Sequence, residues 1–465
     1  MKMKIVNDSI RSATLRPIVA IRRFLLFFGL LSIGLAFSTS QSLAEDKVVE
    51  LKFTLWGSPF EKQAIEKAVA SFNASHPAIH VTAQHIPYEA YGEKISAMLA
   101  AGEPPDVAYL DFAQAFPFAD GGKILDLTSY FAKQPTDQGV LETSFYRFDH
   151  GKKLLGTGLA TGVILLYYNK ELFDAAKLPY PPATAQDAWT WDKFVEVAKK
   201  LTKDRHGNDA TNPNFDPNNI VTYGLSLPQD WWSYLTFIDS NGGSFVNKEG
   251  TELLLNQPAS VQVLQALQDA IYVDHITPRP TQNKALPSAD IQMQTGKVAM
   301  TFNGMWKVVD FSQLHHPWGM GALPYFKEPT TIILSVPKVI FAATKHPDEA
   351  FTFYLYISDP TKVDLFREGL WAPLEKRYFT DPEFTKQWLQ GKPGVYPPEA
   401  QTVLVDYSLH HAGPPPPMYW LRNIDRIMNE AVIPAMDQLW SGKIKAQAAA
   451  DQAVEKAKPL LQGTW

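Results

Sequence analysis

The feature that most constrains the fold of this chain is the alternation of two hydrophobic periods over residues 48–112. Residues 48–56 (VVELKFTLW) alternate and are rich in β-branched and aromatic side chains, which predicts a strand. Over 60–72 the apolar residues recur at helical spacing, and the pattern then predicts strands at 79–86 and 104–112 with a second helix between them. Strand–helix–strand alternation favours a parallel sheet with helices packed on its faces.

Polar and aromatic side chains follow two of these predicted strands. Trp56 and Ser58 come at the end of the first strand, and Asp111 and Gln114 come at the end of the third. Because ligands of such sheets bind beyond the carboxyl ends of the strands, these four residues are candidate ligand contacts. Glu61 is a fifth candidate, although the helix dipole also favours a carboxylate in the first turn of a helix. Asp111 is equally suited to cap the helix that follows it.

The first 44 residues have the composition of a secretory signal peptide. Four arginines precede the apolar run 24–37, and the small residues Ser42 and Ala44 follow it, so we predict cleavage after Ala44 and a periplasmic location. The alternative is an uncleaved membrane anchor, but the run is shorter than the roughly 20 residues that a spanning helix needs. The chain has no cysteine, which excludes disulfides, thiol nucleophiles and a lipid attached at a cysteine.

The charge balance argues against nucleic acid and anionic membrane surfaces as partners. The chain has 43 Lys and Arg against 48 Asp and Glu, and residues 1–44 hold six of the basic and one of the acidic side chains. The chain that remains after cleavage is therefore acidic, and it contains no basic runs. Its roughly 420 residues exceed the size at which a single core usually divides, which predicts two domains.

Four motifs occur in an order that is found in one protein family. They are FNASHPAIHVT (72–82), AAGEPPDVAYLD (100–111), LLYYNKELFDAAKL (165–178) and GKVAMTFNGMWKV (296–308). Together they resemble the extracellular solute-binding proteins of ABC importers, specifically the sugar-binding, maltose-binding-protein-like group. The resemblance extends from Val48 to the C-terminus, and this breadth makes it more specific than any single motif.

The resemblance implies an α/β fold class, the two-lobed periplasmic binding protein fold (type II-like), with discontinuous lobes joined by hinge crossovers. Glycine-bearing segments at 151–162 and 318–326 also suggest crossovers that must bend. The implied boundaries are a first lobe of 45–156 and 325–357, a second lobe of 157–318 and 372–465, and connectors at 319–324 and 358–371.

The resemblance also implies site residues, because sugars are held by aromatic faces and by a few polar groups. Trp306, which follows the turn Asn303-Gly304, matches the family's stacking tryptophan; the alternative is a tryptophan that fills the core. Asp230 and Trp232 match a carboxylate and an aromatic contact. Since adjacent side chains cannot both face one way, we expect one of Trp231 and Trp232 to lie in the core, and we choose Trp232 as the contact. The remaining candidates are Thr161, in the first crossover, and Trp371, Tyr419 and Trp420.

We therefore expect a monomeric periplasmic receptor that binds a neutral sugar or oligosaccharide between its lobes and presents it to the permease of an ABC importer. The main alternative is a secreted carbohydrate-active enzyme that uses Asp111 and Asp230 as a carboxylate pair. A polyol or a sugar phosphate is the alternative solute.

Catalytic and metal-binding motifs are missing from the sequence. The serine-hydrolase, zinc-protease and phosphate-loop motifs do not occur. The histidine pairs 315–316 and 410–411 lack the spacing that places two rings on one helix face, and the polar loop 204–219 lacks the spacing of a calcium-binding EF-hand. We expect no catalytic residue, no metal and no cofactor.

Overall fold

The computed structural model describes residues 47–133, 139–141, 144–149, 151–283, 285–413 and 416–465. The predicted signal peptide, residues 1–44, lies outside these described residues. Residues 47–465 form one unit by their contacts. Within the described ranges, no helix combines the length and the apolar character that crossing a bilayer requires.

The strands that the structure describes fall into two larger sheets and one hairpin. Their bounds are β1 Val49–Leu55, β2 Ile79–His85, β3 Val107–Tyr109, β4 Phe145–Phe148, β5 Lys153–Thr157, β6 Gly162–Asn169, β7 Lys203–Asp204, β8 Ile220–Ser226, β9 Val298–Gly304, β10 Trp318–Gly321, β11 Ile333–Leu334 and β12 Lys338–Ile340.

The helices of the described residues pack around these strands. Their bounds are α1 Pro59–Ser75, α2 Tyr88–Ala100, α3 Phe112–Asp120, α4 Thr128–Ala132, α5 Lys170–Ala176, α6 Trp191–Leu201, α7 Trp231–Ser240, α8 Pro258–Tyr272, α9 Pro280–Asn283, α10 Ala289–Gln294, α11 Val308–Phe311, α12 Pro347–Tyr356, α13 Arg377–Thr380, α14 Pro382–Leu389, α15 Ala400–Asp406, α16 Ile424–Arg426, α17 Ile433–Trp440 and α18 Ala446–Ala457.

The first sheet has the order β12-β3-β1-β2 and begins with the alternating segment of the sequence. Strands β1, β2 and β3 are parallel, and β12 joins the edge antiparallel to β3. Helix α1 begins after Ser58, whose hydroxyl accepts a hydrogen bond from the Glu61 amide at 3.2 Å. This cap and the helical pattern that follows it confirm the strand–helix–strand expectation for the start of the chain.

The second sheet has the order β10-β6-β9-β8-β7, with β11 also paired to β6. All eight residues of β6 are buried, which explains why the sequence of this strand is a continuous apolar run. Strands β8 and β9 are parallel, so their carboxyl ends meet at one edge of the sheet. The α/β architecture with two sheets confirms the predicted fold class.

The chain passes between the two sheets at two segments that touch each other. Residues 158–161 lead into β6, and residues 335–337 lead from β11 into β12. Gly158 and Pro337 are bridged through their backbones. A β-carbon on Gly158 would lie 1.6 Å from the Ser335 hydroxyl oxygen, so only glycine allows this close approach.

The expected connector at 319–324 does not join the sheets at that point. Trp318–Gly321 is strand β10 of the second sheet and pairs antiparallel with β6. The glycines that suggested a bend allow close packing instead, because a β-carbon on Gly319 would lie 2.2 Å from the Tyr168 ring and one on Gly321 would lie 2.6 Å from Pro181. The boundaries of the two lobes stay a prediction.

We predict that Gly224→Ala lowers the free energy of unfolding by about 1–3 kcal/mol, the usual cost of overpacking a close contact. Gly224 lies in β8, and a β-carbon there would be 2.2 Å from the carbonyl oxygen of Ala198 in α6. The nearest atoms belong to the backbone, which cannot move aside as a flexible side chain would. Urea unfolding of both proteins, followed by circular dichroism, measures the difference.

The matched control is Gly413→Ala, where the nearest atom to the new β-carbon is the Thr331 carbonyl oxygen at 3.9 Å. This variant should unfold within about 1 kcal/mol of the unchanged protein, as expected for glycine at an unstrained position. Equal stability of the two variants would show that α6 does not pack tightly on β8.

Candidate ligand-binding cleft

A cavity of about 770 Å³ is lined by residues that follow strands of both sheets. Trp56 comes directly after β1 and Asp111 comes shortly after β3, on the side of the first sheet. Leu227 comes directly after β8, and Asn303 is the penultimate residue of β9, on the side of the second sheet. The cavity therefore lies at the carboxyl ends of the parallel strands, as expected for an open α/β sheet.

Most of the site residues predicted from the sequence lie on the wall of this cavity. They are Trp56, Ser58, Glu61, Asp111, Asp230, Trp232, Asn303, Trp306, Trp371 and Tyr419. The structure therefore brings together residues that are as far as 363 positions apart in the chain. Contact of these residues with a ligand stays a prediction.

Four predicted residues do not line the cavity, and each has a structural position that explains this. The Gln114 amide donates a hydrogen bond to the Gly92 carbonyl at 3.1 Å, which joins α3 to α2. Thr161 is buried and pairs through its backbone with Ala372. Trp420 lies with its ring centre 6.4 Å from that of Phe116.

Gly304, the fourth of these residues, supports the wall from behind. A β-carbon at this position would lie 2.0 Å from the Trp306 ring. The glycine therefore lets the indole lie against the backbone of β9. Gly304 acts by the space it leaves and not by a contact of its own with the cavity.

Trp231 and Trp232 both line the cavity, so the expectation that one of them fills the core was wrong. Residues 229–232 are all part of the wall, which shows that the N-terminal end of α7 faces the cavity. Side chains at a helix end can both reach a space beyond that end, even though they point about 100° apart. The ring of Trp231 lies 5.7 Å from Phe112, and the ring of Trp232 lies 5.4 Å from Trp306.

Trp306 is partly buried and forms an aromatic cluster with two other tryptophans. Its ring centre lies 5.4 Å from that of Trp232 and 5.2 Å from that of Trp371. Trp371 has a backbone φ of +60°, a left-handed conformation that is unusual for a bulky residue. Such strain persists where the surrounding structure requires it, and here it holds the indole against Glu61.

A polar cluster joins the two sides of the cavity beside these tryptophans. The Ser58 hydroxyl donates to a carboxylate oxygen of Asp310 at 2.7 Å, and the Lys307 ammonium donates to the other oxygen at 2.6 Å. Lys307 also donates to Asp290 at 3.4 Å. Lys307 and Asp310 were not among the site residues predicted from the sequence. The spacing of a basic residue and an acid three positions later, directly after Trp306, is typical of an ion pair on a helix and could have indicated them.

Glu61 lies next to this cluster and is 6% exposed. Its carboxylate accepts a hydrogen bond from the Trp371 indole at 3.3 Å. Burial raises the pKa of Glu61 to about 7, the Trp371 bond opposes that rise, and the charge of Asp310 adds to it. Glu61 therefore gains or loses its proton near neutral pH.

Asp111 and Asp230 lie on another part of the wall, near Tyr88. Asp111 caps α3 by accepting from the Ala113 amide at 3.0 Å and also accepts from the Tyr88 hydroxyl at 3.2 Å, so it both caps the helix and lines the cavity. Asp230 precedes α7, but its side chain makes no capping bond and is exposed to the cavity. Burial by the surrounding protein raises the pKa of both carboxyl groups.

No cluster of three or more His, Cys, Asp or Glu side chains in the described part of the chain is arranged to hold a metal ion. The polar loop 204–219 is held by its own hydrogen bonds, because Asp204 accepts from the backbone amides of His206, Asn208 and Asp216.

A protein family described as "Bacterial extracellular solute-binding protein" matches residues 57–361. A similar curated protein is the arabinooligosaccharide-binding protein of Halalkalibacterium halodurans, which is 25% identical over 45% of this chain and 43% of that protein. The galactooligosaccharide-binding protein of Bacillus subtilis is 23% identical over 91% of this chain and 92% of that protein. Alignments with the first of the curated relatives span about half of their length, from 43% to 59%.

Two solved structures show the same fold. The ABC substrate-binding protein Lmo0181 from Listeria monocytogenes, in complex with cycloalternan, is similar with a TM-score of 0.75 and 22% identity, covering 89% of this chain and 99% of that one. The maltose/maltodextrin-binding domain MalE from Bdellovibrio bacteriovorus, bound to maltotriose, is similar with a TM-score of 0.67 and 20% identity, covering 89% and 99%.

We predict that Glu61→Gln makes stability less dependent on pH. Burial raises the pKa of Glu61 from 4.5 to about 7, so between these values the native state binds more protons than the unfolded state. Stability from this group is therefore present below pH 4.5 and is lost as the pH rises to about 7. The loss amounts to roughly 3 kcal/mol, because one pKa unit corresponds to about 1.4 kcal/mol. Glutamine keeps an acceptor for Trp371 and removes the titration.

Urea unfolding between pH 4.5 and 8 measures this effect as the difference between the two proteins. Asp239, whose pKa burial also raises to about 7, is present in both and cancels. Glu66→Gln, on the exposed face of the same helix, is the matched control and should leave the pH profile unchanged. Parallel profiles for Glu61→Gln and the unchanged protein would contradict the prediction.

Proposed function

This chain belongs to the family of bacterial extracellular solute-binding proteins, and from that premise we propose that it binds a sugar or oligosaccharide in the cleft and delivers it to the membrane permease of an ABC importer. Two curated relatives are named for oligosaccharides, and two structures of the same fold hold cycloalternan and maltotriose. These relatives support a saccharide as the class of solute.

The composition of the cavity wall is the observation that carries this proposal. Indole and phenol rings cover the apolar C–H faces of sugar rings, while carboxylate and amide groups accept hydrogen bonds from their hydroxyls. The aromatic rings of the wall belong to Trp56, Trp231, Trp232, Trp306 and Trp371. Its carboxylate and amide groups belong to Asp111, Asp230 and Asn303. A cavity of about 770 Å³ is in the range of small-molecule sites.

The cleft would bind its solute by bridging the two sides of the chain. Ser58 and Glu61 follow β1, while Asp310 and Trp371 come from the opposite side, and the two pairs are already hydrogen bonded. A solute that contacts both sides adds further bonds across the same gap. It favours the closed arrangement only to the extent that it binds that arrangement more tightly than an open one.

Phosphorylated solutes fit this wall poorly. Lys307 is the one Lys or Arg among the described residues that line the cavity, and its ammonium group is bonded to Asp310 and Asp290. A phosphate would therefore meet several carboxylates and no free cation. The catalytic alternative is not retained, because the family consists of binding proteins and the chain is not an enzyme.

The cellular location is part of the same proposal. An extracellular family is consistent with export by the predicted signal peptide, with cleavage after Ala44 and a periplasmic mature chain. N-terminal sequencing of the exported protein tests this, and a first residue other than Glu45 would show that the cleavage site is wrong.

A thermal-unfolding screen tests the proposed function. The protein is heated with mono-, di- and oligosaccharides, polyols and sugar phosphates, and each bound solute is recovered and checked for chemical change. A solute at 100 times its dissociation constant should add about 2.7 kcal/mol to the free energy of unfolding, which raises the melting temperature measurably. Stabilisation by a saccharide that is recovered unchanged supports the proposal. Stabilisation only by solutes of another class would contradict it.

We predict that Trp306→Ala weakens binding of the saccharide found in this screen by at least about tenfold, or ~1.4 kcal/mol. Trp306 lies between Trp232 and Trp371 on the wall, so its loss removes the centre of the aromatic cluster. Trp420→Ala is the control, since that tryptophan lies outside the wall and should change affinity less than threefold. Isothermal titration calorimetry measures both, and equal losses in the two variants would count against the assigned cleft.

A further inference from the structure

The charges on the cavity wall are strongly unequal. Among the described residues of the wall, four carry a carboxyl group and one carries a basic group; they are Glu61, Asp111, Asp230, Asp310 and Lys307. Lys307 is already neutralised, because its ammonium group donates to Asp310 at 2.6 Å and to Asp290 at 3.4 Å. The carboxyl groups of Asp111 and Asp230 therefore have no cation of the wall left to balance them.

These two carboxyl groups share one end of the cleft. The Tyr88 hydroxyl donates to Asp111 at 3.2 Å. Phe112 and Trp231, which directly follow the two aspartates in the chain, lie with their ring centres 5.7 Å apart, so the two aspartates come from neighbouring parts of the wall. In the described part of the chain, no Lys, Arg or His forms an ion pair with either of them.

Two hydroxyl donors of the wall are engaged within the protein, while two acceptor groups of the wall are open to a ligand. The hydroxyls of Ser58 and Ser335 donate to Asp310 and to the Ala160 carbonyl. In contrast, the Asp230 carboxylate does not cap its helix. Gln292 also lines the cavity and is 3% exposed, and its amide oxygen has no partner among the described residues. The Asp230 carboxylate and the Gln292 amide oxygen can therefore accept hydrogen bonds from a ligand.

Aromatic rings surround the same end of the cleft. Phe112 and Tyr419 are stacked with ring centres 4.3 Å apart, and Trp231 lies 5.7 Å from the first and 6.0 Å from the second. The faces of aromatic rings attract cations, and carboxylates pair with them. Aromatic rings next to carboxylates that have no ion-pair partner favour the binding of a protonated amine.

We propose that the solute is a saccharide that carries a protonated amino group, and that the end of the cleft formed by Asp111, Asp230, Tyr88 and Trp231 binds this ammonium. The proposal rests on the proposed saccharide-binding function and specifies its class of substrate. A neutral sugar would satisfy the acceptors with hydroxyl hydrogens but would bring no counter-charge to the partly buried Asp111 and the exposed Asp230, which is unfavourable once a bound solute displaces water from them. An amino sugar supplies three donors and the missing positive charge.

A matched series of sugars tests the proposal. The 2-hydroxy, 2-amino and 2-acetamido forms of glucose and galactose, and of their β-1,4-linked dimers, differ at one substituent and keep ring and linkage constant. Calorimetry at pH 6.5 and low salt should give at least tenfold tighter binding for an amino form than for both of its neutral counterparts. The absence of such a preference in every set would overturn the proposal.

The charge of Asp230 is tested by Asp230→Asn. Asparagine keeps the size and one acceptor oxygen but removes the charge, so binding of the amino form should weaken at least tenfold more than binding of the neutral form. The variant should fold normally, because Asp230 does not cap α7. Asp192→Asn, an exposed acid at the start of α6 and outside the wall, is the matched control and should leave both affinities unchanged.

The salt dependence of binding distinguishes an ammonium–carboxylate contact from a hydroxyl–carboxylate contact. Raising the ionic strength from 50 to 500 mM should weaken the amino form more than the neutral forms, because salt screens charge attraction. If Asp230→Asn weakens the amino and hydroxyl forms equally, Asp230 is a hydroxyl acceptor and the proposal is wrong.

These outcomes can be told apart from a failure of the proposed function. Binding of neutral saccharides with no preference for the amine would reject the substrate class and leave the receptor function intact. Binding of no saccharide, charged or neutral, would reject both.

Discussion

The close contact between the two segments that cross from one sheet to the other is the constraint on which the cleft depends. Gly158 lies against Ser335, whose hydroxyl donates to the Ala160 carbonyl at 2.6 Å. Ser335, Val336 and Pro337 also line the cavity. The crossing is therefore part of the cavity wall, and it holds the carboxyl ends of both sets of parallel strands around one space.

Packing and electrostatics divide the cavity into two unlike parts. Beside Trp306, a glycine behind the ring and two neighbouring indoles hold a flat aromatic surface, and Glu61, Asp310 and Lys307 are bonded to neighbours. Near Tyr88, Asp111 and Asp230 line the cavity beside aromatic rings, and among the described residues of the wall no Lys or Arg pairs with them. Since burial raises the pKa of the unpaired acids, the cleft is favourable for ligands that donate hydrogen bonds and unfavourable for anions.

Local patterns predicted more of the fold than of the cleft. The three parallel strands at the start of the chain, the cap at Ser58 and the position of Trp306 after a strand all follow from spacing that is visible over a few residues. The connector at 319–324 was misread because a glycine that bends the chain and a glycine that allows close packing look alike in a sequence. Trp231 was misread because an alternation argument applies to the side of a helix and not to its end.

The sequence by itself determined the secondary structure, the caps and the kinds of side chain that follow each strand, because these depend on neighbours within one or two turns. Only the tertiary structure decided that Gln114 and Trp420 face away from the cavity and that Lys307 is neutralised by Asp310 and Asp290. It also decided the proton affinity of Glu61, which depends on burial beneath Trp371, more than 300 residues away. Burial and charge pairing depend on distance in space, and that distance is absent from the order of residues along the chain.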